Sequence, residues 1–156
     1  IVVMAGNGKD DPTEIPRLLS WIIDGGYDYV QGSRFLSGGS SSNLPLSRWF
    51  LIKGYTKLFN ILTGFHGTDV TNGFRAYRLS IFDDPAIDIS QEWLSTYALE
   101  YYIHHKVITG GYRVKEVEVS KAYPAERGVS YSKIRPVVDW WSIIKAILYL
   151  NLKIKH

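Results

Sequence analysis

The beginning of the chain constrains the fold more than any other part. The apolar run Ile1–Met4 predicts a buried strand. The helical spacing of the apolar residues after Thr13, its predicted N-cap, indicates a helix that ends at Gly25-Gly26. Tyr27–Gln31 then predicts a second strand, and a strand, a helix and a strand in succession form a unit whose strands run parallel. The sequence therefore predicts an α/β fold, in which ligands collect beyond the carboxyl ends of the strands.

The rest of the chain continues this alternation. The Gly/Ser-rich segment Leu36–Pro45 has no periodicity, and we interpret it as a mobile lid or binding loop, with a linker between domains as the alternative. Thr68–Tyr77 predicts a polar turn that runs into a short strand, and the clean alternation of Arg113–Val119 predicts a strand near a sheet edge. Helices are predicted at Leu46–Thr63, Trp93–Ile108 and Pro136–Ile154.

Composition limits the class of protein. The 156 residues suffice for one domain, and the absence of cysteine excludes disulfides and thiolate metal sites. From Arg113 to His156, nine Lys or Arg residues face four Asp or Glu residues, which indicates an anionic partner or an ordinary solvated basic face. A membrane surface or a phosphate ligand fits better than nucleic acid, because this part contains a long apolar run and no nucleic-acid-reading motif.

The last predicted helix, Pro136–Ile154, has two interpretations. It contains Asp139 and Lys145, and it falls short of the roughly 20 apolar residues that cross a bilayer. Its paired tryptophans and terminal lysines are typical of a helix that lies in the membrane interface or leads into a span. The alternative is a helix packed on the sheet.

Four short motifs occur in sequence order. They are Met4–Pro12 (MAGNGKDDP), Gly32–Arg34 (GSR), Asp69–Ala76 (DVTNGFRA) and Arg127–Lys133 (RGVSYSK). In this order they resemble the family-2 glycosyltransferases, and within them the dolichyl-phosphate mannose synthase-like group. The corresponding family patterns are Met-Asp-Ala-Asp-any-Gln-any-any-Pro, Gly-Ser-Arg, Asp-any-Thr-Ser-Gly-Phe-Arg-Ala and Arg-any-any-Gly-any-Ser-Lys.

The resemblance implies a GT-A (Rossmann-like) domain with a mixed, mostly parallel sheet flanked by helices. It covers the later part of that domain, residues 1–135, so the base-binding strands are expected before Ile1 and the 156 residues alone are expected to turn over poorly. Residues 136–156 are then an amphipathic or juxtamembrane helix.

The resemblance also implies a function. It indicates an inverting glycosyltransferase that moves a sugar from a nucleotide-sugar to a polyprenyl phosphate or lipid-linked glycan. The reaction is expected at the cytoplasmic face of a membrane, in cell-envelope glycan synthesis. The alternative is a catalytically silent domain of the same fold that binds or scaffolds partners at the membrane.

The first motif departs from the family pattern where a metal is expected. The two metal-binding aspartates are replaced by Ala5 and Asn7, and the assisting Gln is replaced by Lys9. One interpretation is a metal-independent enzyme in which the Lys9 ammonium neutralises the leaving diphosphate. In a second, Asp10 and Asp11 recruit Mg or Mn instead, and in a third the site is inactive.

The resemblance assigns the remaining candidate residues. Asp69 is the candidate general base for an acceptor hydroxyl, or a structural residue of its turn if the acceptor is a phosphate, which needs no base. Arg75 is expected to brace that turn. His104 and His105 are adjacent on a helix, so we interpret them as surface or packing residues and not as ligands. The candidate substrate-binding residues are Asn7, Arg34, Arg48, Arg127, Ser132 and Lys133.

Overall fold

The computed structural model describes residues 1–95, 98–124 and 138–154. Its strands are β1 (Val2–Val3), β2 (Tyr29–Ser33), β3 (Ser40–Ser42), β4 (Arg75–Tyr77), β5 (Val114–Glu118) and β6 (Ser120–Ala122). Its α-helices are α1 (Ile15–Ile23), α2 (Leu46–Thr63), α3 (Ala98–Thr109) and α4 (Val138–Asn151). Short 3-10 helices at Pro12–Glu14, Leu79–Asp83 and Glu92–Leu94 lie in the connections.

A mixed four-stranded sheet of order β1-β4-β2-β5 organises the fold. β2 runs parallel to β5 and antiparallel to β4, and β4 runs antiparallel to β1. β1, β2 and β5 therefore share one direction, which confirms the predicted α/β class and the parallel orientation of the first two strands. Those two strands are not neighbours, however, because β4 is inserted between them.

The first two predicted elements differ from the structure at their boundaries. The first strand is only Val2–Val3 and is half-buried, because β1 lies at the edge of the described sheet. The predicted N-cap at Thr13 is wrong. Asp11 caps the 3-10 turn before α1, since its Oδ1 accepts a hydrogen bond from the Thr13 amide at 2.9 Å.

The second strand is shifted toward the site by two residues, to Tyr29–Ser33. Position 32 requires glycine, since a Cβ there would lie 2.9 Å from both the Phe74 carbonyl oxygen and a Val119 methyl group. This close approach lets the Gly32 amide donate to the Phe74 carbonyl at 2.9 Å. β2 therefore continues to Ser33, the residue before Arg34.

The Gly/Ser-rich segment interpreted as a lid or linker contains regular structure. β3 pairs in parallel with β6, and the Tyr123 amide donates to the Ser42 carbonyl at 3.0 Å. This pairing holds the segment beside the residues that follow β6. The predicted α2 has the observed bounds, and Gly64, in a left-handed conformation with φ 73°, ends it.

α4 packs into the main hydrophobic core. Ile143, Ala146, Ile147 and Leu150 are buried in that core together with residues of α2 and α3. The alternative of a helix packed on the sheet is right that one face of α4 is buried, but the elements it packs against are α2 and α3, and Trp141 is exposed. Within the described part of the chain, no helix is long and apolar enough to cross a membrane.

His104 and His105 are packing residues, as one of the two interpretations predicts. Both are buried, and Nδ1 of His104 hydrogen-bonds the Tyr29 hydroxyl at 3.0 Å. The His104 ring also packs against Phe59, with ring centroids 4.9 Å apart. Neither histidine is available as a surface ligand.

The burial of His104 predicts a pH-dependent stability. Burial, followed by the charge of Arg75, holds the pKa of His104 well below its ordinary value of 6.5. The unfolded chain takes up a proton near that ordinary value while the folded chain does not, so lowering the pH below it should destabilise the fold. We expect this one group to lower the free energy of unfolding by up to ~1.4 kcal/mol per pH unit.

Urea unfolding between about pH 7.5 and pH 5 checks this expectation. In His104→Gln, which keeps a hydrogen-bonding group for Tyr29, stability should fall less steeply with acid than in the unchanged chain. Equal slopes in the two proteins would contradict it.

Candidate functional site

Three cations from different segments converge on the Tyr123 ring. Nζ of Lys9, in the loop after β1, lies 5.2 Å from the ring centroid, and Cζ of Arg48, in the first turn of α2, lies 5.5 Å from it. Arg34, which directly follows β2, donates from Nη1 to the Tyr123 hydroxyl. The structure thus brings Arg34 and Arg48, which the resemblance assigns to substrate, together with Lys9, which replaces the family's Gln, around a tyrosine that the sequence did not single out.

Lys121 is a fourth cation of this cluster. Its Nζ lies 2.7 Å from Oδ1 of Asp10 and donates to Oδ1 of Asn72 at 3.0 Å. Burial, more than any other cause, lowers the pKa of Lys121. Sequence reasoning missed this residue, although the alternation of Val117 and Val119 continues to position 121 and predicts an inward-facing side chain there.

Asp69, the candidate base, is fully buried and paired with Arg34. Its Oδ2 accepts from Nε of Arg34 at 2.6 Å, and its Oδ1 accepts from Nη2 at 2.7 Å. Nη2 also donates to Oγ1 of Thr71 at 3.0 Å. This bidentate geometry is that of a strong structural pair, so both oxygens of the carboxylate and most of the guanidinium are occupied within the protein.

Glu116 fixes the backbone of the same turn. Its carboxylate accepts from the Thr68 amide at 2.8 Å, from the Asp69 amide at 3.1 Å and from the Thr68 hydroxyl at 2.9 Å. Burial raises the pKa of Glu116, and these hydrogen bonds oppose that change. The alternation of β5 alone does not identify Glu116, because its partners lie 47 and 48 residues away in sequence.

Arg75 braces the turn from the other side, as the resemblance implies. It donates to the backbone carbonyls of Asn72 at 2.9 Å, Glu100 at 2.7 Å and Val70 at 3.2 Å. Nε2 of Gln31 adds a hydrogen bond of 2.6 Å to the Asn72 carbonyl. These hydrogen bonds fix the backbone of the turn next to the cation cluster.

Lys9 faces a cavity of about 410 Å³ at the edge of this cluster. Burial lowers the pKa of the Lys9 ammonium, and the positive charges of Arg48 and Lys121 lower it further, against the opposing charge of Asp10. Mutual repulsion of this kind is typical of sites that bind anions, since a bound anion relieves it. The cavity is lined by Asn7, Gly8, Lys9, Ala122, Tyr123 and Pro124.

The residues at the expected metal position do not fit a divalent cation. Ala5 has no ligand atom, and Oδ1 of Asn7 accepts the Lys9 amide at 3.3 Å. Asp10 is paired with Lys121, while the exposed Asp11 accepts from the amide and hydroxyl of Thr13. In residues 1–95, 98–124 and 138–154 there is no group of three or more acidic or histidine side chains that could hold a metal.

The last three candidate residues, Arg127, Ser132 and Lys133, lie outside the described residues. Their assignment to substrate stays a prediction. Of the other candidates, the structure brings Lys9, Arg34 and Arg48 together and places Asn7 on the wall of the neighbouring cavity.

The chain matches no protein-family profile, but several curated proteins are similar to it. It is 32% identical over 134 residues to the polyprenol monophosphomannose synthase of Mycolicibacterium smegmatis, covering 86% of this chain and 48% of that protein. It is 31% identical over 120 residues to the undecaprenyl-phosphate mannosyltransferase of Micrococcus luteus, covering 77% and 48%. The chain spans about half the length of the curated relatives it matches.

Proposed function

The chain belongs to the dolichyl-phosphate mannose synthase-like glycosyltransferases, and from this membership we propose that it transfers mannose from a nucleotide-sugar to a polyprenyl phosphate. The names of both relatives, which concern transfer of mannose and a polyprenyl acceptor, support this choice. We further propose a GT-A type domain and inversion at the sugar carbon, as the resemblance implies.

The burial of Asp69 and its pairing with Arg34 are the observation that favours a phosphate acceptor over a hydroxyl acceptor. A hydroxyl acceptor needs a base to remove its proton, and the base must be within reach of it. Asp69 is fully buried, and both of its oxygens accept hydrogen bonds from Arg34. A phosphate acceptor is already anionic and needs no base, so it suits this site better than the hydroxyl of a glycan.

The cation cluster supplies what such an acceptor requires. Arg48 and Lys121 line a small cavity with Thr71 and Tyr123 in the middle of the cluster. Guanidinium groups bind phosphate bidentately, and partial burial strengthens that attraction. We assign the acceptor phosphate to Arg48, which lines this cavity and which the resemblance assigns to substrate binding.

We also propose that the protein works at the cytoplasmic face of a membrane. The outward side of α2, which we define as Leu46, Phe50 and Ile61, exposes large apolar side chains on the same helix that supplies Arg48. Residues four and eleven apart lie on one helix face, so these side chains form a single stripe. Arg48 is two residues from both Leu46 and Phe50, so it projects from a different side of α2, and the same helix carries the apolar stripe on one side and a cation of the site on another.

A transfer assay tests the function. The protein is expressed with any residues its gene encodes on either side of positions 1–156, and mixed with labelled nucleotide-mannose and vesicles that contain undecaprenyl phosphate. Mannose should move into the lipid fraction, and polyprenol without the phosphate should not accept it. If the protein binds vesicles but neither hydrolyses nor transfers the sugar under any condition, the result would favour a catalytically silent scaffold instead.

Arg48→Met should lower the initial rate of transfer about tenfold or more, because one charge-assisted contact to the acceptor phosphate is lost. Lys106→Met is the matched control: Lys106 also lies over a tyrosine ring, that of Tyr102 at 5.5 Å, but on α3 and outside the cluster. Equal rates for the two variants would contradict the role of Arg48.

A further inference from the structure

The metal expected from the family and the residues of this chain disagree. Ala5 and Asn7 stand where the family has its two metal-binding aspartates, and their surroundings do not fit a divalent cation. The family's assisting Gln is replaced here by a lysine, and a second lysine, Lys121, lies in the same cluster. At the position where the family holds a metal ion, this chain therefore supplies positive charge from lysine side chains.

The charges of the cluster do not cancel. Lys121 is neutralised by Asp10 at 2.7 Å, and Arg34 is neutralised by Asp69 at 2.6 Å. Lys9 is buried, yet among the described residues no carboxylate oxygen lies within 4.0 Å of its Nζ. An ammonium that is largely enclosed and lies near other cations is costly, and binding an anion from the adjoining cavity reduces that cost.

We propose that Lys9 binds the diphosphate of the nucleotide-sugar directly, from the cavity it lines, in place of a divalent cation. This inference rests on the proposed function. In the transfer step the bond between the sugar carbon and the diphosphate oxygen breaks, and the electron pair stays on that oxygen. An oxygen of the acceptor phosphate forms the new bond to the sugar carbon. The Lys9 ammonium stabilises the charge that develops on the diphosphate, and no proton has to be transferred.

Calorimetric titration of the 156-residue chain with inorganic pyrophosphate tests the proposal, with EDTA present throughout. Pyrophosphate should bind without any metal, and Lys9→Met should weaken binding about tenfold or more. Lys106→Met should bind like the unchanged chain, and circular dichroism checks that each variant is folded. Inorganic phosphate separates the two sources of phosphate oxygens: binding that is equally tight for phosphate and equally sensitive to Lys9 would assign Lys9 to the acceptor and overturn the proposal.

A second variant reverses the proposed replacement. Ala5→Asp/Asn7→Asp/Lys9→Gln restores the family's residues, and its pyrophosphate binding should become dependent on Mg²⁺ or Mn²⁺. Binding by the unchanged chain that requires these ions, or that is indifferent to Lys9, would overturn the inference. Failure of mannose transfer with metal-free pyrophosphate binding intact would instead overturn the proposed function alone.

Discussion

Arg34→Met is expected to lower the free energy of unfolding by about 3–5 kcal/mol, because it leaves the Asp69 carboxylate buried without a partner. Asp69 is fully buried and accepts two hydrogen bonds from Arg34, at 2.6 and 2.7 Å. The same guanidinium holds Thr71 and Tyr123, so the substitution also releases the turn and the ring at the centre of the cluster. Urea unfolding at neutral pH, followed by circular dichroism, measures the change.

Two further variants show whether pairing is the cause. Arg34→Met/Asp69→Leu removes the stranded charge as well, so it should be more stable than Arg34→Met alone. Arg17 forms an exposed pair with Glu118, 3.5 Å apart, with side chains 43% and 41% exposed. Arg17→Met should therefore cost only about 0–1 kcal/mol. Equal losses for Arg17→Met and Arg34→Met would contradict a structural role for the Arg34–Asp69 pair.

This prediction also determines how activity data on Arg34 are to be interpreted. The resemblance assigns Arg34 to substrate, and in this structure most of its guanidinium is occupied by Asp69, Thr71 and Tyr123. A loss of transfer in Arg34 variants would then follow from loss of the fold. Arg48 is the better variant for acceptor binding because it belongs to α2 and not to the buried Arg34–Asp69 pair.

Local patterns in the sequence were sufficient for some elements and insufficient for others. α2 was predicted with its observed bounds because its apolar spacing is regular and Gly64 ends it in a left-handed turn. The position of β4 between β1 and β2 was not predicted, because it depends on contacts between residues such as Val2 and Ala76, far apart in sequence. β3 was missed because Ser40–Ser42 has no apolar alternation and pairs with β6, which lies far away in sequence.

The candidate site shows the same division. The resemblance assigned Arg34 and Arg48 to substrate and its first motif contained Lys9, and in the structure these three residues lie around Tyr123. The sequence could not show that Arg34 and Asp69 form an ion pair, because the two loops that hold them are far apart in sequence and meet only in the folded chain. Whether a charged side chain binds substrate or another part of the protein depends on distances in the folded structure. These distances do not follow from the spacing of residues in the sequence.

Leu46→Glu/Phe50→Glu is expected to lower the binding of the protein to vesicles more than tenfold. The two side chains are 77% and 66% exposed on the outward side of α2, one helical turn apart. Burying an apolar side chain of this size contributes about 1.5–3 kcal/mol, and two charges there would have to be dehydrated instead. Co-sedimentation with vesicles of phosphatidylglycerol and phosphatidylcholine measures the partition coefficient.

The control is Leu79→Glu, which adds a charge at another apolar side chain that is also 66% exposed, but outside α2. It should reduce vesicle binding only through its single added negative charge, an effect that salt screens. At high salt the unchanged chain and Leu79→Glu should therefore bind alike, while the α2 variant still binds weakly. If all three proteins lose binding together as salt rises, the attraction is electrostatic, and the outward side of α2 does not enter the membrane.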